Sequence, residues 1–116
     1  MEKITTFKQI KAIIEPIAAD KFCKDTYQNA DGQCCFLGHI HNHINDSTFN
    51  NAGDYNGYGA RQLSQKFLIE KHDIFSDGAE VNNGPYVNGY TEPEIKDRLM
   101  HMIEDGIKWE ESKLTT

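Results

Sequence analysis

Apolar residues recur at three- and four-residue steps in four stretches of the chain, and polar segments rich in Asn, Gly and Tyr separate them. Phe7, Ile10, Ile13, Ile14 and Ile17 line one face of an amphipathic helix that starts near Thr6, with Thr5 or Thr6 as its cap. Pro16 has no N–H and disfavours a helical residue before it, so this helix ends near Glu15 or kinks before Ala18-Ala19. From Phe22 to Tyr27 β-formers mix with polar residues, and Asn29-Ala30-Asp31-Gly32 supplies turn chemistry. The pattern predicts a small β-hairpin near residues 22–36. Cys35, Leu37, Ile40, His43 and Ile44 then predict a helix over roughly 35–45, and Leu63, Phe67 and Leu68 one over about 60–71.

The last helix has the fullest start signal: Thr91 as N-cap, Pro93 in the first turn and Glu94 completing a capping box. Ile95, Leu99, Met102, Ile103 and Ile107 form its apolar face down to Trp109, and the tail from about 111 is expected to fray. The fold class that follows is mainly α: a single compact domain over 1–116, with about four helices and the small hairpin. Leu37, Leu63, Phe67, Leu99 and Ile103 are its expected core.

Two loops share a composition. Asn50 to Tyr58 and Asn82 to Tyr90 both begin Asn-Asn, end Asn-Gly-Tyr and precede a helix. Tyr offers rigid contact area with a polar tip, and Asn and Gly supply adaptable hydrogen bonds and tight turns, a mixture suited to recognition. The candidate binding residues are therefore Tyr55, Asn56, Tyr58, Arg61, Asn83, Tyr86, Asn88 and Tyr90. The plain alternative is that the loops share ordinary turn residues and the tyrosines pack back over the core.

Charge narrows the partners. With 12 basic and 18 acidic residues the formal charge is −6, and a protein that neutralises phosphates needs the opposite balance. Nucleic acid is disfavoured, and a protein partner or plain solubility is favoured. Three cysteines, two of them adjacent, make a poor disulfide framework and suit reduced thiols in a cytoplasm. Neither a signal peptide nor a membrane span is evident. The sequence does not indicate an oligomeric state.

Gln33 to Ile40 is the densest small and apolar run, and His39, His41 and His43 follow it. Cys35, His39 and His43 share a helix face at four-residue steps, so with Cys23 they compose an alternative zinc tetrad, without the paired-ligand spacing of zinc knuckles. Cys35 with His39, oriented by Asn45 or Asp46, is the nucleophile–base alternative, although Cys35 lies in a run that reads as core. Glu104, Asp105, Glu110 and Glu111 read as the solvated side of a helix. No Walker or dinucleotide loop is present, and Asn56 to Arg61 is the closest approach to an anion cradle. These motifs give no catalytic residue and no cofactor.

Ala30-Asp31-Gly32, Cys34-Cys35-Phe36-Leu37-Gly38 and Asn82-Asn83 ahead of the closing helix carry a resemblance. The chain resembles an uncharacterised bacterial and phage family of small domains with an Asp-Gly turn, a Trp-Cys-x-Leu-Gly-Ala-Leu motif and a later Asn-Asp segment. Cys34 stands where that family has Trp, and His39 where it has Ala. The resemblance implies a fold and a bacterial or phage setting, and no activity. The functional expectation is a small, acidic, non-catalytic binding protein, an accessory factor of a phage or mobile element that binds and inhibits a host protein. A small-ligand or nucleotide binder using the two loops is one alternative, and a zinc-binding domain or enzyme is the other.

Overall fold

The computed structural model describes residues 3–45, 59–84, 87 and 89–114, and these are mainly helical. Helix α1 spans Phe7–Ile14. Thr6 caps it by accepting from the Gln9 amide (3.2 Å), while the Gln9 side chain takes the Thr6 amide at 3.0 Å. Ahead of Pro16 it ends, with Glu15 still bonded to Lys11 O. A single 3-10 turn, Ala19–Lys21, follows.

The segment expected to form a hairpin makes isolated contacts. Phe22 bridges Cys34 in parallel sense, and Gln28 bridges the same Cys34 in antiparallel sense. The Asn29–Gln33 turn does form, closed by the Asn29 side chain on the Asp31 and Gln33 amides, each at 3.0 Å. Because Cys34 spends both its amide and its carbonyl on the Lys21–Cys23 stretch, no ladder develops from it among the described residues.

Helix α2 spans Phe36–Asn45 and α3 Ala60–His72. A short helix that the sequence does not predict, α4, spans Gly78–Asn83 and takes in Asn82 and Asn83, the first two residues of the second Asn/Gly/Tyr loop. Its ends are held from outside. Asp77 caps it by accepting from the Ala79 and Glu80 amides, Ser64 of α3 takes the Gly78 amide at 2.8 Å, and Arg98 donates to the Val81 and Asn82 carbonyls near its end. Six residues are too few for a hydrophobic period to show, so only these caps define it.

Helix α5 spans Ile95–Leu114, starting four residues later than Thr91 and running beyond the expected fraying point. Arg98 explains the start. Its guanidinium draws in the Glu92 and Pro93 carbonyls at 2.7 and 3.0 Å, while the Arg98 amide bonds Glu94 O, so Thr91 lies outside the helix. Lys113 explains the end, since it bonds Glu70 at 2.7 Å and lies 4.1 Å over the Trp109 ring.

Helices α1 and α5 pack against each other along much of α1. Gly106 allows it, because any Cβ there would enter the Phe7 ring. The charges at the ends match the backbone: the Glu110 carboxylate receives the Phe7 amide at 2.9 Å, and the Lys96 ammonium reaches Glu15 O at 2.8 Å and Ile17 O at 2.5 Å. The described helices share one core. Leu37, Phe67, Leu99 and Ile103 are buried in it as expected, and Leu63 is partly buried at its edge. The radius of gyration, 13.4 Å, is that of a compact chain of this length.

Candidate functional site

A cleft of about 360 Å³ opens where residues 25–27, the starts of α2 and α3, and α4 meet. Asp25 turns the chain into it with φ at +63°, a left-handed conformation that Asp tolerates better than most residues. The cost is offset by its amide, which donates to the Asn83 side chain at 2.9 Å. That same Asn83 oxygen also accepts from Asn82 Nδ2 at 2.9 Å, which fixes the amide's orientation on the cleft wall. Gly38 allows the Tyr27 backbone to lie directly on α2, where a Cβ would collide with Tyr27 O.

Across the cleft stands Arg61, on the first turn of α3. Its Nε donates to Asp77 Oδ2 at 2.8 Å, and Asp77 is buried while the Arg61 side chain is 50% exposed. Asp77 therefore does two jobs, with one oxygen capping α4 and the other aiming a guanidinium at solvent. The Asp77 hydrogen bond and charge push the Arg61 pKa above its ordinary value, so the cation is permanent. Glu80 adds a second carboxylate within electrostatic reach of this cation, and Asp25 is the one carboxylate among the described residues that lines the cleft with it.

Cys35 lines this cleft at the threshold of α2. Burial pushes its thiol pKa up, and the amides of Leu37 and Gly38 lower it less. Its expected base is engaged elsewhere: His39 places Nε2 2.8 Å from Lys21 O and packs its ring on Phe22, 4.6 Å between centroids. The nucleophile–base pair is therefore not assembled, and Asp46 and the Asn45 side chain lie outside the described residues. The zinc alternative fares similarly. Cys23 donates to Thr26 O and Gln33 O, His43 is exposed, and among the described residues no three His, Cys, Asp or Glu side chains gather as ligands.

Of the eight candidate binding residues, Arg61 and Asn83 come together on this cleft. Tyr90 does not. Its ring is fully buried, and its hydroxyl donates to Asp105 at 2.9 Å and lies 3.1 Å from His72 Nε2, so burial and Asp105 push its pKa far up. It closes a loop onto the core, which is the plain alternative for that residue. Tyr55, Asn56, Tyr58, Tyr86 and Asn88 lie outside the described residues.

Sequence reasoning missed Asp77, which holds the Arg61 guanidinium, and Asn82, which holds the Asn83 side chain. Asp77 with Glu80 three residues on is an N-terminal helix signal and would have located α4. Asn82 carries no such local mark. No family model matches the chain, and no curated protein or solved structure matches it.

Proposed function

We propose that this protein is a non-catalytic binding module that engages a protein partner through the Arg61–Asn83 cleft, as an inhibitory accessory factor in a phage or bacterial setting. The observation that carries the reading is Arg61 itself: a half-exposed guanidinium aimed from a buried carboxylate, opposite an amide that is also fixed by hydrogen bonds. Pre-set polar groups of this kind reduce the ordering cost of association, and arginine is over-represented among residues that dominate interfaces. The resemblance noted from the sequence supplies the phage setting. The acidic surface, at −6, suits a basic partner face.

A second reading is a small polar ligand, favoured by the cleft volume of about 360 Å³, which falls in the size range of ligand pockets. The test uses Arg61→Ala and Asn83→Ala beside wild type. Each is used as bait in bacterial lysate and screened by thermal shift against nucleotides and amino acids. A protein retained by wild type and lost by both variants supports the partner reading. Capture unaffected by both substitutions overturns it, and a wild-type-specific thermal shift transfers the site to the small-ligand reading.

A further inference from the structure

A second groove, of about 380 Å³, runs between the lead-in to α1, one side of α3 and the last turns of α5, and shares no lining residue with the Arg61 cleft. Leu63, Trp109 and Leu114 give it an apolar lining, and Leu114 is left 84% exposed at its edge. Trp109 is held in place by Phe67 and Phe7, at 5.3 and 6.3 Å between centroids. The apolar wall is therefore built on the core.

The charges around this groove are unequal in what they have left to offer. Glu110 is spent on the Phe7 amide, and Glu111 faces Lys8 at 3.9 Å. Lys113 is spent on Glu70, and its ammonium lies over Trp109. Lys66 is different: it lines the groove, is exposed and makes no ion pair among the described residues, feeling Glu70 only at longer range. An apolar slot with tied-off carboxylates and one spare ammonium is complementary to a ligand with an apolar tail and one negative charge.

We propose that this groove binds a monomeric single-chain amphiphile with an anionic head, of the fatty-acid class. The tail lies along Leu63, Trp109 and Leu114, and the head pairs with Lys66. A membrane surface is the poorer occupant, because the chain as a whole carries −6 and anionic lipid would repel it. The site is independent of the reading proposed for the Arg61 cleft.

Trp109 is the single tryptophan, so its fluorescence reports on this groove alone. Wild-type protein is titrated with decanoate, below its micelle concentration, and with decanol, which has the same chain and no charge. The expected result is a saturable, one-site emission change with decanoate, at least tenfold weaker with decanol and at least tenfold weaker in Lys66→Glu. Arg61→Ala is expected to bind decanoate as wild type does. Equal response to decanoate and decanol overturns the proposal without any variant having to fold. Absence of a saturable change also overturns it, as does a change produced only by phosphatidylglycerol vesicles.

Discussion

Asn82 accepts the backbone N–H of Phe36 at 3.0 Å through its side-chain oxygen, so a fully buried amide on α4 caps the first turn of α2 from 46 residues away. Its Nδ2 donates back to Cys23 O at 2.9 Å. Three separate segments thereby exchange the buried polar groups that each would otherwise leave unpaired.

Asn82→Ala should therefore be costly. It strands the Phe36 N–H and the Cys23 carbonyl, for a loss of about 3 kcal/mol from the penalty of unpaired buried groups. Asn82→Asp keeps the acceptor, loses the donor and buries a charge, and should be no better. Urea unfolding checks both, and a midpoint within error of wild type would remove Asn82 from this role.

Arg98 is the buried cation of the fold, fully covered and bonded to four backbone carbonyls: Val81, Asn82, Glu92 and Pro93. Its planar fork suits that task, and a lysine ammonium cannot span the four acceptors. Arg98→Lys and Arg98→Met should each lose about 2–4 kcal/mol, by analogy with other broken buried polar networks. Hydrogen exchange should show the loss concentrated in α4, and uniform protection would contradict this.

Gly106→Ala tests the α1–α5 contact. A mid-helix alanine gains about 1 kcal/mol of helix propensity, but its Cβ must displace the buried Phe7 ring, and overpacking costs about 1–3 kcal/mol. Net destabilisation is expected in thermal unfolding. Adding Phe7→Leu to the alanine variant should cost less than Phe7→Leu alone costs wild type, a coupling read by a double-mutant cycle.

The legible part of this fold was its periodic part. Helices α1, α2 and α3 lie within about a residue of where the spacing of Ile10, Ile40 and Phe67 puts them, because one-sided burial leaves a trace in the sequence. The start of α5 did not, since Thr91-Glu92-Pro93-Glu94 is a sound local cap overruled by Arg98, whose demand for carbonyls is tertiary. The sequence leaves Tyr90 open between surface and core, and it is His72 and Asp105, both distant in sequence, that take its hydroxyl into the interior. For the cleft, Arg61 was visible as an isolated cation at a helix start. Nothing local shows that Asp77 would hold it or that Asn83 would face it.

Acid should weaken the protein before its carboxylates titrate. Burial holds the pKa of His39, His41 and His72 below the ordinary 6.5. The unfolded chain then binds more protons, so these groups leave stability intact above about pH 6.5 and subtract from it as pH falls toward their folded values. The urea midpoint should drop between pH 7.5 and 5.5, and His39→Gln should flatten that slope. An unchanged slope would assign the effect to the other two histidines.

The two ends of α1 are gripped by Lys96 and Glu110, which has a consequence for how the chain is made. Phe7 leaves the ribosome 103 residues ahead of the carboxylate that receives its amide, a delay on the order of ten seconds at ordinary elongation rates. Through that interval Ile10, Ile13 and Ile14 have no α5 to pack against, so the burial of α1 waits on the synthesis of α5. A nascent chain stalled before Lys96 should be digested readily by protease, and the released full chain should resist it.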